Sequence, residues 1–175
     1  MVEVLHLAAV VPATIGLCCA VGDRRGRARS VVPAAAMLIA MIAMATGWPG
    51  VPPLVWAGAL LALGVGAAAL LRARGGGGGG HARHMQLHRA LGLVIGAALL
   101  VVSAAAHEGV AGSGHPGHPS LGSPLAVTLA GAAGYLVFTV WLVARSIRRR
   151  SPLVGVVEAS AMGLMTVLMA IAPLA

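Results

Sequence analysis

Residues 72–89 read RARGGGGGGHARHMQLHR, and what this stretch separates decides the fold. It carries Arg72, Arg74, Arg83 and Arg89 around an unbroken run from Gly75 to Gly80. On either side lie apolar runs, 54–71 and 88–106, each near the ~20 residues a helix needs to cross a bilayer core. No Gly-Lys-Ser/Thr follows the glycines and no strand pattern precedes them, so this is not a phosphate loop. It reads as a polar loop with a flexible glycine linker, 75–80, between two halves of the chain.

The same punctuation recurs outward from this point. DRRGRARS at 23–30 and RSIRRR at 145–150 bound further apolar runs, giving six in all: 4–21, 31–47, 54–71, 88–106, 124–144 and 152–172. The second and third are short for spanning. Between them, GWPGVPPL at 47–54 offers Trp48 to a membrane interface and three prolines that stop a helix. Every arginine falls in alternate segments, whereas 1–6, 48–53, 107–123 and the C-terminus have none. Because basic loops stay cytoplasmic, this partition predicts both termini on the extracytoplasmic side.

Composition agrees. Of 175 residues, 59% are hydrophobic and 9% charged, with a mean hydropathy of +0.94, where a soluble domain has roughly a quarter charged. The expected fold is therefore an all-α integral membrane protein, one domain of about six transmembrane helices in a bacterial plasma membrane. Its first partner is the lipid bilayer. A net charge of +8 would point to nucleic acid in a soluble protein; here the topology accounts for it, and nucleic-acid binding is not expected. The N-terminus, MVEVLHLAAVVPATIGLCCAVGDRR, starts acidic and places its basic residues after the apolar run. That is the reverse of a signal peptide, so a retained helix is expected.

Two methionine stripes stand out. Met37, Met41 and Met44 fall at i, i+4 and i+7 of the second segment, and Glu158, Met162, Met165 and Met169 at i, i+4, i+7 and i+11 of the sixth. Each set lines one helical face. Thioether sulfur is a soft, neutral ligand suited to Cu(I), but methionine is also a flexible gap-filler against Gly/Ala-rich partners. Glu158, about six residues into its segment, is costly in a membrane. Three states are open to it: protonated, bound to a cation, or paired with an arginine, Arg149 or Arg150 being within reach at the inner interface.

Histidines form two groups. His81, His84 and His88 cluster on the arginine-bearing side, and the i, i+4 pair His84 and His88 shares a face at the start of the fourth segment, a spacing able to chelate one metal. No Glu follows as H-E-x-x-H requires, so zinc-peptidase chemistry is unsupported. His107, His115 and His118, with Glu108, belong to the opposite side, as do Glu3 and His6. A Gly/Pro loop with histidines binds Cu(II) or Zn(II) only weakly unless ordered. Bis-histidine haem needs facing histidines on two helices, and only the fourth segment supplies them. Adjacent Cys18 and Cys19 point about 100° apart and make no redox pair. Gly92 and Gly96 form a G-x-x-x-G that permits close helix approach. No catalytic constellation is present, so no enzyme is expected.

AMLIAMIAMATGWPG after an arginine-bearing loop, the His/Met cluster opening the fourth segment, and the C-terminal AMGLMTVLMAI together resemble an uncharacterised actinobacterial family of small Met/His-rich multi-pass membrane proteins (DUF5134 type). The resemblance spans most of the chain. It implies the membrane fold and hints at copper. Family members often begin the two stripes with a histidine, where this chain has Pro33 and Glu158.

The resulting expectation is a structural or accessory membrane protein without cofactor, acting with a membrane-protein partner. The alternative is a copper-handling protein. It would use Met37, Met41, Met44, Met162, Met165, Met169 and Glu158, with His84 and His88 inside and His107, His115 and His118 outside. Convergence of the stripes discriminates between the two.

Overall fold

The computed structural model describes residues 2–22, 27–46, 50–73, 80–107 and 122–171. These form six helices and, among the described residues, no strand: α1 (Val2–Gly22), α2 (Arg27–Thr46), α3 (Pro53–Ala73), α4 (Gly80–His107), α5 (Gly122–Arg148) and α6 (Leu153–Ile171). Pro53–Ala73, Ala82–Ala105, Pro124–Arg148 and Leu153–Ile171 are long and apolar enough to cross a membrane, while Leu7–Gly22 and Ser30–Thr46 are shorter apolar helices. Large side chains such as Leu54, Val65, Val127, Val137 and Val140 point outward uncovered. An apolar exterior over a helical bundle is the surface of a membrane-embedded protein.

The main departure from the sequence reading is the start of α4. It begins at Gly80, so HARHMQLH is helical and continuous with the apolar run behind it. Nothing in 81–88 breaks a helix, since the glycines end just before it. Gly75–Gly79 lie outside the described residues. α3 likewise extends to 21 residues and is no longer short.

α4 is the hub. It packs against α2, α3, α5 and α6, and Leu93, Leu99, Leu100, His88 and Ser103 on it are fully buried. α1 lies between α2 and α6, which do not themselves pack backbone against backbone. α1 manages this with small residues on its buried face, Ala9, Ala13, Gly16 and Ala20, which let two neighbours approach closely.

Helix ends follow local chemistry. α5 closes with Arg150 at φ 49°, its N–H donating to the Ile147 carbonyl at 3.0 Å and the Ser151 N–H to the Ser146 carbonyl at 3.0 Å. This is a Schellman cap, in which the left-handed position usually belongs to glycine. Pro152 follows and prevents continuation before α6.

The α3–α4 hairpin depends on Gly64. A Cβ there would stand 2.9 Å from Val94 Cγ2, 3.0 Å from the Ala90 carbonyl oxygen and 3.2 Å from Leu93 Cβ. The carbonyl cannot move aside without shifting α4. Gly64→Ala is therefore expected to lose about 1–3 kcal/mol of stability through overpacking. Gly58→Ala on the same helix meets nothing within 4 Å and should be neutral or stabilising. Thermal unfolding of the two variants in detergent checks the contrast.

Candidate functional site

The bundle buries an ion pair. Arg89 of α4 donates from Nε to Glu158 Oε1 at 2.6 Å and from Nη2 to Oε2 at 2.7 Å. The residues are 9% and 3% exposed, so both charges are largely removed from solvent. The side-on, two-bond geometry satisfies both carboxylate oxygens and leaves Nη1 outside the pair. Glu158 thus does not turn back to Arg149 or Arg150, both of which are exposed. Counted by sequence among the loop arginines, Arg89 sits more than two turns into α4 and belongs to the interior.

Next to it, His88 is buried between α4 and α5. Its Nε2 lies 2.9 Å from Thr139 Oγ1, and the single Thr139 hydroxyl proton is donated to the Tyr135 carbonyl at 2.9 Å. Thr139 can therefore only accept from His88, which fixes the Nε2–H tautomer. Nδ1 is left as a bare lone pair, and neither it nor the buried Tyr135 hydroxyl has a hydrogen-bond partner among the described residues. His88 stacks on Tyr135 with ring centroids 4.8 Å apart, while His84 meets Trp141 edge-on at 5.3 Å. Phe138 stacks on Trp141 at 5.7 Å, and Arg145 stands 5.1 Å above the Trp141 ring. The two histidines share the α4 face turned to α5, each against its own ring.

The methionines turn inward from both stripes. Met37, Met41, Met165 and Met169 are buried in one core cluster with Met44 packed against it. Glycines on α4 receive one member of each stripe: Met37 lies over Gly96, and the Met162 methyl stands 3.0 Å from where a Gly92 Cβ would be. A void of about 20 Å³ is lined by Met37 from α2, Met162, Met165 and Glu158 from α6, and Pro12, Ala13 and Gly16 from α1. The stripes therefore converge although their helices do not pack together. The convergence runs through the G-x-x-x-G of α4 and the small residues of α1.

Other expected residues are placed differently. His115, His118 and Glu108 lie outside the described residues, and for His107, His81, Glu3 and His6 only the helical backbone is described. Cys18 and Cys19 are free thiols. Among the described residues, no three His, Cys, Asp or Glu side chains gather into a metal-sized group; thioethers are the one clustered ligand type. The aromatic ladder was missed by sequence reasoning, though Tyr135, Phe138, Trp141 and Arg145 recur at helical spacing and include three of the five aromatic residues in the chain.

Comparison with protein-family models, with curated proteins and with solved structures finds no match to this chain.

Removing one partner of a buried pair strands the other charge. Glu158→Leu and Arg89→Met are each expected to cost about 3–5 kcal/mol, whereas the double variant should recover most of that loss. A double-mutant cycle by denaturant unfolding in detergent reads it; a double variant as unstable as the sum of the singles would refute the pairing.

Proposed function

We propose that the protein is a six-span bacterial plasma-membrane protein that holds and passes Cu(I) along a thioether-lined interior. One observation carries the reading: side chains from two separate stripes line a single void together with Glu158, the one buried carboxylate among the described residues. Three neutral sulfurs suit a monovalent soft ion that accepts two or three ligands. About 20 Å³ accommodates one small guest, since ~10–15 Å³ takes a single water. Glu158 also lines the void, its charge already balanced by Arg89, so the sulfurs would hold the ion in a neutral site, where a monovalent ion leaves less uncompensated charge than a divalent one.

Direction follows from register. α2 and α6 both run away from the arginine-bearing end. Met41 and Met44 therefore extend the stripe of Met37, and Met169 extends that of Met162 and Met165, over roughly 10 Å of further rise. His84 and His88 stand near the arginine-bearing end, where the bare Nδ1 of His88 is in the protonation state that binds a metal. His107, the last residue of α4, stands at the opposite end. The arginine partition supports six spans with both termini extracytoplasmic. In bacterial cells, a C-terminal alkaline phosphatase fusion should be active and a C-terminal green fluorescent protein fusion dark; the reverse pair would overturn the orientation.

Cu(I) loading of the detergent-purified protein under reducing, anaerobic conditions tests the chemistry, with a chromogenic chelator as competitor. Tight stoichiometric binding is expected for the wild type and for Met85→Leu, whose sulfur belongs to a separate cluster beside Leu142 and Ala159. It should vanish in Met37→Leu/Met162→Leu, which keeps side-chain volume and loses both sulfurs. Equally weak binding in all three returns the methionines to packing and leaves an accessory protein without chemistry of its own, and the search then moves to a membrane-protein partner.

A further inference from the structure

A second and much larger cavity lies away from the methionines. It has a volume of about 390 Å³ and sits between α2, α3 and α4, walled by Ala62, Gly66 and Ala67 of α3 and by Ala90 and Leu93 of α4. That volume is within the ~300–1,000 Å³ of small-molecule sites, which are mostly apolar with a few placed polar groups. Here the polar groups are Gln86 and Arg89. The rim includes Val32, Leu63 and Leu70, 52%, 37% and 57% exposed, so the cavity opens sideways onto the apolar exterior.

We infer that this cavity holds one acyl chain of an anionic phospholipid of the surrounding membrane, its ester carbonyl at Gln86 and Arg89 and its phosphate at Arg83. The small residues of the wall leave room for a chain and offer it only apolar contacts. Arg89 commits Nε and Nη2 to Glu158, which leaves Nη1 as the donor for a neutral acceptor. The ion pair is already balanced, so a carbonyl suits that position better than a second anion. Arg83 is exposed, lies on the same side of α4 as Gln86 and stands three residues nearer the arginine-bearing end. That is about 4.5 Å of rise, the short step from a phospholipid's carbonyls to its phosphate. On α2, Arg29 occupies the register position one turn before Pro33, which lines the same cavity. Basic residues where a cavity between spanning helices meets the interface are the chemistry that selects an anionic head group.

Native mass spectrometry of the full chain released from detergent tests this, with phosphatidylglycerol and phosphatidylcholine supplied in equal amounts after a delipidating wash. The wild type should keep one phosphatidylglycerol per chain. A Cβ on Gly66 or Gly58 meets nothing within 4 Å, so both positions on α3 admit a side chain at its root, but only Gly66 lines the cavity. Gly66→Leu should lose the retained lipid and Gly58→Leu should keep it. Ala67→Leu, on the same wall, gives the same loss and serves if Gly66→Leu misfolds. Arg83→Gln should lower the preference for phosphatidylglycerol over phosphatidylcholine about fivefold, the effect of one juxtamembrane basic residue. A wild type that retains no lipid, or filled-cavity variants that retain as much as the wild type, would overturn the site. Equal retention of both lipids by the wild type would overturn its anionic selectivity.

Discussion

A guanidinium and a carboxylate facing each other inside an apolar bundle leave few arrangements open. Arg89 and Glu158 come from helices 69 residues apart in the chain, and neither charge has another place to go once the bundle closes. An unpaired charge at that depth costs more than most packing contacts provide, so α4 and α6 must associate in the one register that joins two hydrogen bonds. In a membrane, where lipid tails are as apolar as leucine, hydrophobic burial gives helices little reason to prefer one neighbour over another. The pair supplies that preference. It also places Glu158 at the void and Arg89 at the larger cavity, so the two candidate sites share one electrostatic anchor.

Around that anchor the packing is a matter of size. Gly92 and Gly96 on α4 accept Met162 and Met37, and alanines on α1 let it slip between α2 and α6. Long unbranched side chains then reach across a helix that is itself narrow. This explains how two stripes on helices that do not pack together line one void, which helix adjacency alone would not produce. The same flexibility that lets methionine fill such a gap lets its sulfur turn toward a guest. The packing and the proposed ligation therefore draw on the same flexible side chains, and only substitution that keeps volume while removing sulfur separates them.

Much of the architecture was legible in the residues. Apolar length and arginine punctuation located all six helices, because both are set by bilayer thickness and by charge. α4 starts eight residues before the apolar run at 88–106 that marks it in the sequence, since nothing in HARHMQLH breaks a helix. Burial of Arg89 was hidden for the same reason: counted as a loop charge, it could not be matched to Glu158. A search for charges inside the apolar segments would have found the pair, since Arg89 in 88–106 and Glu158 in 152–172 are the one arginine and the one acid that the six segments contain. The stripes were visible from spacing, but their convergence was not, because spacing fixes which face a residue occupies and says nothing of which helix that face meets. The partner rings of His84 and His88 required the α4–α5 contact, which no local pattern encodes.

The cap of α5 sets two demands on one position. Arg150 adopts the left-handed backbone that glycine takes without strain, yet it also belongs to an exposed basic cluster of the kind that biases the orientation of membrane helices. Folding and membrane insertion draw on different properties of that residue, its backbone in one case and its charge in the other. Glycine at 150 would relax the turn while removing one charge of the kind by which insertion machinery orients helices. A selection for thermal stability and a selection for uniform orientation would rank that replacement in opposite order.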